Sequence, residues 1–495
     1  MHTCVKNYKN AAKYQQMEKA NINSITRKNL PLLLSSILIV VGAIIIIPYG
    51  NFQEPSTVIK FWIAISIMSL GFIISWAIKS INFAWFWSIT ILARLILIPM
   101  EPGNDIWRYL WEGYIQNFGF SPYDLAPNAV ELIPYRTEWW SLINHPDTSA
   151  IYPPLSQLGF RVLAAINPSV LIFKLAFILA DLGICWLLSR KFSLEKILIY
   201  AWNPLIIYSF AGGAHYDSWF ILPLVAAWLA FDNYRWYWSS FLIGISVAIK
   251  WMSLPILCFV VWQKILDKQE PNTDNISQIS ELERTRNLAN REQKLRLDCT
   301  KLTWDILYRK IQQAGFLLLI GLLPMCIAAL NFCEPGKCSL IPTSSNFVVK
   351  GRSAEFIPYL VSLIWEESTK YNWIYGIPLG LGVGVLIWNS HRFVKFAESY
   401  FFLLLTLSPI VHAWYFTWFI PFAVATRNLG IKWVSLSTFV YFILTYRQSL
   451  GDNSWFLTPM ERYWLWLPLI IGFIWSYWKD KKNLESSKIN SELSR

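Results

Sequence analysis

Charged residues are scarce in this 495-residue chain, at 15%, whereas hydrophobic residues make up 55% of it. So little charge excludes an ordinary soluble domain, and the length allows many membrane passes. The seven cysteines show no CxxC spacing, which argues against a zinc site or a redox motif. Only Cys333 and Cys338 are close enough in sequence to suggest a disulfide. No internal repeat is evident, which weighs slightly against a transporter built from duplicated halves.

The formal net charge of +12 comes from basic residues that lie in short stretches between apolar runs. This distribution is typical of positive-inside topology and does not indicate a nucleic-acid surface. Aromatic residues make up 17% of the chain, including 28 Trp, and suit both membrane interfaces. We therefore expect membrane lipids, and no nucleic acid, around this protein.

The sequence predicts an all-α polytopic membrane protein with about 12–14 membrane helices. Residues 1–30 are polar and basic, precede a long apolar run without a small-residue cleavage site, and indicate a retained signal anchor with a cytoplasmic tail. Twelve apolar segments are predicted spans: 31–48, 58–77, 83–100, 168–188, 196–211, 217–231, 313–333, 372–389, 397–411, 414–427, 431–447 and 462–478.

A cytoplasmic N-terminus would place segment 101–167 outside as a long first external loop. Its seven acids outnumber its three bases, in agreement with that side. We expect two membrane modules, 31–262 and 313–478, and a cytoplasmic C-terminal tail, 479–495.

The stretch 237–262 resembles one span, but a single crossing there would invert every later loop. It contains Lys250 and Pro255, and a mid-membrane charge beside a helix breaker is typical of a re-entrant or two-part helix that lines a polar cavity. Returning this stretch to the cytoplasmic side leaves the charged insertion 263–312, with ten bases and eight acids, inside. We expect that insertion to be largely helical or disordered.

The external loop begins with a predicted helix that Asn104 or Asp105 can cap. Its apolar side suits a position along the membrane interface, whereas Asp105, Arg108 and Glu112 share the other side. The plain structural interpretation is a cap followed by a surface ion pair.

Polar residues recur at the other predicted external turns, and three of the five histidines, His145, His215 and His412, map to this side. The motifs there are Ser-Pro-Tyr at 121–123, Asn-His at 144–145, Tyr-Pro-Pro-x-x-Gln at 152–157, Gly-Gly-Ala-His-Tyr-Asp at 212–217 and Ser-Pro-x-x-His-x-Trp-Tyr at 408–415.

With Asp-x-x-Arg-Tyr-Leu-Trp-Glu-Gly at 105–113 and Ile-Lys-Trp at 249–251, this order of motifs resembles the GT-C glycosyltransferases that use polyprenyl-phosphate-mannose or a related donor. The resemblance implies a GT-C-like helical bundle in which an acid of the first external loop, here Asp105, is the catalytic base. Many members carry paired acids there, whereas this chain has Asn104-Asp105. The exact base and any need for a divalent metal therefore stay open, and neither a cofactor nor a metal ligand is assigned.

The resemblance implies transfer of a hexose, mannose above all, from a polyprenyl-phosphate-linked donor to a lipid or glycan acceptor, with inversion. Arg108, His412 and Lys250 are the candidates for binding the donor phosphate. The remaining candidates would bind or orient sugar or acceptor: Glu112, His145, Tyr152, Gln157, His215, Asp217 and Tyr415. A snorkelling lysine is the plain alternative for Lys250.

Three other functions compete with sugar transfer. A secondary transporter predicts acids within spans, and only Asp181 is mid-span. A glycan ligase or polymerase with a lipid-diphosphate donor fits the same fold. A scaffold protein gives no reason for His, Asp and Arg to gather on one side. The abundant isoleucine, lysine and asparagine favour a bacterial plasma membrane over the endoplasmic reticulum of a eukaryote.

Overall fold

The computed structural model describes residues 29–267, 289–333, 338, 340 and 349–493, and within these ranges the regular elements are helices. One isolated bridge pairs Ser353 with Ile410. The predicted all-α fold is therefore confirmed. Most of the predicted tail 1–30 and part of the insertion 263–312 lie outside the described residues, whereas 289–312 belong to a helix.

The helices, numbered in chain order, are α1 (Asn29–Tyr49), α2 (Pro55–Ser75), α3 (Phe83–Leu95), α4 (Asp105–Gln116), α5 (Pro154–Ile166), α6 (Val170–Ser189), α7 (Leu194–Ala201), α8 (Pro204–Ile207), α9 (Ser218–Asp232), α10 (Trp236–Ile249), α11 (Leu254–Leu266), α12 (Ala289–Ala329), α13 (Ile357–Ser362), α14 (Gly376–Asn389), α15 (Phe393–Leu407), α16 (Ile420–Thr426), α17 (Leu429–Ser437), α18 (Ile443–Ser449) and α19 (Pro459–Leu493).

Five helical stretches of the described chain are long and apolar enough to cross a membrane, as a polytopic membrane protein requires. They are α1, α2, α6, the Leu307–Ala329 part of α12, and Leu429–Ser449, which contains α17 and α18. The predicted span 462–478 lies within the long helix α19, whereas the remaining predicted spans are shorter or interrupted helices. The number of passes therefore stays a prediction.

The predicted span 196–211 is not one helix. It consists of α7, α8 and a π-helical turn, Tyr208–Gly212. Pro204 lacks the N–H that would continue α7, and the Asn203 side chain instead accepts a hydrogen bond from the Leu205 N–H. The break starts a new helix that ends beside the polar turn at 212–217.

The stretch 237–262 is the two-part helix that the sequence predicts. Lys250, with φ −151° and ψ 121°, is extended and separates α10 from α11. The Lys264 ammonium, near the end of α11, lies 5.4 Å from the ring of Trp236, the first residue of α10. Because these distant ends meet, α10 and α11 form a hairpin with Lys250 at its tip, which we call the Lys250 hairpin.

Helix α12 packs along the Lys250 hairpin with its backbone in contact. A Cβ on Gly244 would lie 2.1 Å from the carbonyl oxygen of Gly321, so only glycine fits there. The Ser240 hydroxyl donates to the Leu317 carbonyl at 2.6 Å, and the Lys310 ammonium donates to the Asp267 carbonyl at the hairpin base. These contacts fix the position of Lys250 relative to the bundle.

The one predicted mid-span acid, Asp181, is paired. Its carboxylate accepts from the Arg94 guanidinium at 2.6 Å and from the Tyr200 hydroxyl at 2.8 Å, and both charged side chains are fully buried. A buried acid is tolerated in a membrane helix when it is neutralised in this way. Elsewhere, the suggested Cys333–Cys338 disulfide is present.

Candidate functional site

Four separate stretches of the chain meet around His412: the start of α4, the turn before α9, the tip of the Lys250 hairpin and the segment after α15. Asp105, His215, Asp217 and Lys250 all influence the charge of His412, and we call this polar region the pocket. Gly103 donates its N–H to the Gly213 carbonyl at 3.0 Å, which ties the first stretch to the second. Ala214, between these elements, has φ +58°, and His145 beside the pocket has φ +47°. Non-glycine residues in the left-handed region are costly and cluster at functional sites.

Asp105, the first residue of α4, has its carboxylate at the pocket, where a quarter of the side chain stays exposed. The Asn144 amide donates to one carboxylate oxygen at 2.7 Å, and Nδ1 of His215 lies 3.6 Å from the other. Burial raises the pKa of Asp105, but the imidazoles of His215 and His412 and the Asn144 amide outweigh it and lower that pKa to about 2. Asp105 is therefore a carboxylate at neutral pH.

Two histidine rings stack against one tryptophan ring. The Trp414 ring is 3.7 Å from the His215 ring and 4.6 Å from the His412 ring, with interplanar angles of 16° and 6°. The stack links Asp105, which faces His215, to His412 of the segment after α15. Residues 105 and 412 thus lie at the same pocket.

His412 does not carry the positive charge that its predicted contact with phosphate assumes. Burial lowers its pKa to about 4, and the nearby Asp105 carboxylate does not offset this effect. The imidazole is neutral at physiological pH and can act only as a hydrogen-bond donor or acceptor. Its Nδ1 lies 2.6 Å from the Tyr441 hydroxyl.

Lys250 supplies a cation to the pocket. Its ammonium donates to the Asp217 carboxylate at 2.5 Å, and 14% of its side chain is exposed. The same carboxylate oxygen accepts from the Trp418 indole at 2.6 Å, while the other oxygen is buried and has no hydrogen-bond partner. The rings of Tyr216, Phe220, Tyr415 and Trp418 surround the ammonium at 4.8–5.6 Å. A lysine held in this aromatic cage is not snorkelling to a surface.

Arg108 belongs to a buried network beside the pocket. It donates to the Glu112 carboxylate at 2.7 Å and to the carbonyl oxygens of residues 144, 145, 148 and 149. These contacts engage the whole guanidinium, and no donor is left for a phosphate. Gln157 donates to the second Glu112 oxygen at 2.6 Å. The predicted surface ion pair is in fact buried, because the 144–149 loop covers it.

Helix α4 also differs from the expected interfacial helix. Its apolar residues Trp111 and Ile115 are buried against Leu132 and Ile143 of the loop that follows. The loop therefore covers the side of α4 that the sequence would place against lipid. This packing holds Asp105 at the start of a rigid element.

The remaining predicted residues differ in how close they lie to the pocket and in what they contact. The His145 side chain is exposed, and this residue contributes its carbonyl oxygen to Arg108. Tyr152 packs its ring 5.2 Å from Tyr109 and 5.3 Å from Tyr216 in an aromatic wall. Tyr415 stacks on Trp418 at 4.4 Å as part of the Lys250 cage.

Sequence reasoning left out several residues of the pocket: Asn144, Trp414, Trp418 and Tyr441. Asn144 and Trp414 lie within the motifs at 144–145 and 408–415, so their positions in the sequence could have identified them as pocket residues. Trp418 is one helical turn beyond that motif. Nothing in the sequence points to Tyr441, which reaches His412 only through the tertiary fold.

Among the residues that the structure describes, no three His, Cys, Asp or Glu side chains converge in a way that could hold a metal ion. Asp105 is accompanied at the pocket by imidazoles and an amide.

Comparison with known proteins gives one match. Residues 25–265, just under half of the chain, match a family described as alpha-(1->6)-mannopyranosyltransferase, N-terminal domain. This range contains Asp105, Asp217 and Lys250. No curated protein and no solved structure matches the chain significantly.

Proposed function

We propose that this membrane protein, whose residues 25–265 match the N-terminal domain of a mannosyltransferase family, is a glycosyltransferase that moves mannose from a polyprenyl-phosphate carrier to an acceptor hydroxyl. One observation carries the proposal: the partly open Asp105 carboxylate and the caged Lys250 ammonium both lie close enough to His412 to influence its charge. Sugar transfer from a lipid phosphate requires a base for the acceptor and a cation for the leaving phosphate. The pocket supplies both.

In the proposed reaction, the acceptor oxygen attacks the anomeric carbon as its proton passes to Asp105. The bond from the anomeric carbon to the phosphate oxygen breaks, and its electron pair leaves with the phosphate. A single displacement inverts the anomeric centre, so a β-linked donor gives an α-linked product. The family's α-(1→6) linkage is the product that we propose here too.

The low pKa of Asp105, about 2, shapes how it acts. A carboxylate of this kind is always in its basic form but is a weak base. It takes the acceptor proton as the new carbon–oxygen bond forms and the hydroxyl becomes acidic. Asn144 fixes the rotamer of the Asp105 carboxylate by donating to one of its oxygens. The other carboxylate oxygen faces His215.

We assign the leaving phosphate to Lys250. One of its three N–H groups is used by Asp217, and the side chain is partly open to the pocket. The aromatic cage lowers the local dielectric, which strengthens an ammonium–phosphate contact. Arg108 then has a different role from the one predicted: it organises the loop that carries Asn144.

We further propose that the pocket faces away from the cytoplasm, as the acidic composition of segment 101–167 indicates. The apolar carrier would lie in lipid with its phosphate at headgroup depth. The transporter alternative is less well supported, because the mid-span Asp181 is locked by Arg94 and Tyr200.

The test is transfer of labelled mannose from polyprenyl-phosphate-mannose in membranes that contain the full chain. We expect Asp105→Asn to lose a factor of about 10²–10⁴ in rate, which is typical of a lost general base. Glu131→Gln is the matched control, since Glu131 is an exposed acid of the same loop. Asp105→Asn with more than a tenth of the wild-type rate would exclude Asp105 as the base.

The same assay separates the ligase alternative. A donor with one phosphate and a donor with two, carrying the same sugar and lipid, are compared at equal concentration. We expect only the monophosphate donor to react. Preferential use of the diphosphate donor would assign the pocket to a ligase or polymerase.

A further inference from the structure

A chain of hydrogen bonds runs away from the pocket behind His412. The Trp455 indole N–H donates to the Ser353 hydroxyl at 3.2 Å, Ser353 lies 3.5 Å from the Tyr441 hydroxyl, and Tyr441 lies 2.6 Å from Nδ1 of His412. Ser353 and Tyr441 are buried. None of these three residues has a role in the proposed reaction, and none belongs to a motif of the sequence.

Which group donates in each of these hydrogen bonds follows from the first of them, between Trp455 and Ser353. An indole N–H can only donate, so Ser353 must accept from Trp455. The buried Ser353 hydroxyl hydrogen then has the Tyr441 oxygen as its acceptor, and the Tyr441 hydrogen in turn goes to His412. If His412 instead donated to Tyr441 and Tyr441 to Ser353, the Ser353 hydroxyl hydrogen would be buried without an acceptor, which is costly.

Backbone hydrogen bonds hold Ser353 within reach of the Tyr441 hydroxyl. Its N–H donates to the Pro409 carbonyl at 3.1 Å, and its carbonyl accepts from the Val411 N–H at 2.7 Å. The next residue, Ala354, has φ +49°. A left-handed alanine costs about 1–2 kcal/mol, so the fold tolerates strain where it aligns Ser353 with His412.

We infer that Trp455, Ser353 and Tyr441 are positioning residues that fix His412 as the Nε2–H tautomer, and that this N–H is the group that donates to substrate in the pocket. Because Nδ1 accepts from Tyr441, the ring hydrogen must be on Nε2. The stack with Trp414 fixes the plane of the ring, and the hydrogen-bond chain fixes which nitrogen donates. The inference deepens the proposed function, in which this donor stabilises an oxygen of the reacting sugar phosphate.

The tautomer can be measured without any substrate. The chain has five histidines, so a protein labelled with ¹⁵N-histidine gives a small spectrum in which the His412 signals are those that His412→Gln removes. We expect an unprotonated Nδ1 in the wild type and a mixture of tautomers in Tyr441→Phe, which keeps the ring but loses the hydroxyl. A protonated Nδ1 in the wild type would overturn the inference.

Kinetics give the second measurement. Tyr441→Phe should lower kcat about tenfold, the equivalent of one hydrogen bond, with little change in KM, and Ser353→Ala should act in the same direction. His412→Gln, whose amide reaches the place of Nε2, should keep more activity than His412→Asn, whose amide reaches only Nδ1. Equal rates for Tyr441→Phe and wild type, or a more active Asn variant, contradict the inference. Failure of the Asp105 test would remove the proposed function and leave the tautomer measurement valid.

Discussion

The Lys250 ammonium and the Asp217 carboxylate meet at 2.5 Å, joining the tip of the Lys250 hairpin to the turn before α9. Asp217 is fully buried, so Lys250→Met would leave its charge without a cation. Removing one partner of a buried pair costs about 3–5 kcal/mol. We expect a lower unfolding temperature in detergent together with loss of transfer.

A double variant separates stability from function at this pair. Lys250→Met combined with Asp217→Asn removes both charges and should regain most of the unfolding temperature, while transfer stays lost because the phosphate has no cation. Lys191→Met is the control: its pair with Asp232 is about one-third exposed and is worth less than about 1 kcal/mol. Full transfer by the double variant would show that Lys250 is only structural.

The buried Arg108–Glu112 pair gives a prediction that distinguishes two roles for Arg108. Lysine cannot reach the Glu112 carboxylate and several loop carbonyls at once. If Arg108 organises the loop, Arg108→Lys lowers the unfolding temperature and makes residues 144–149 more sensitive to protease. If Arg108 binds phosphate, Arg108→Lys raises KM for the donor and leaves the unfolding temperature unchanged. The hydrogen bonds of Arg108 favour the first result.

His412 should make the protein less stable in mild acid. Its pKa is lowered by burial from 6.5 to about 4, so between these values the unfolded chain binds a proton that the folded chain does not. The free energy of unfolding therefore falls as pH falls from 6.5 to 4, by about 3 kcal/mol at most. Below pH 4 this contribution changes no further.

Unfolding temperatures measured from pH 7.5 to pH 4.5 test this effect. His412→Gln should flatten the pH dependence, because glutamine does not titrate. His391→Gln is the matched control, since His391 is exposed and the substitution is the same. Identical curves for the His412 variant and the wild type would refute the prediction.

The sequence predicts the membrane fold and the bend at Lys250, because both depend on local features. Its motifs also include several of the residues that meet at the pocket, among them Asp105, His215 and His412. A charge and a proline in an apolar run break a helix wherever they occur. The fate of Arg108 could not be predicted in this way. Its spacing from Glu112 indicates a pair, but whether that pair is exposed depends on the loop that folds over it.

The ring contacts of Trp414 and Tyr441 could not be predicted for another reason, although Trp414 lies within a motif. Trp414 stacks on His215, far away along the chain, and Tyr441 approaches His412 from a separate helical segment. Aromatic residues are so common in this chain that no single one stands out. Only the packing of the bundle selects which rings contact an imidazole.

The contact between Lys310 and Asp267 at the base of the Lys250 hairpin has a practical consequence. The chain that connects these two points begins and ends at the same place, so its length does not determine how the surrounding helices pack. Loop closure entropy grows only slowly with length. We therefore expect that a fluorescent protein or an affinity tag inserted within residues 268–288 labels the protein at the base of the Lys250 hairpin and leaves the pocket intact.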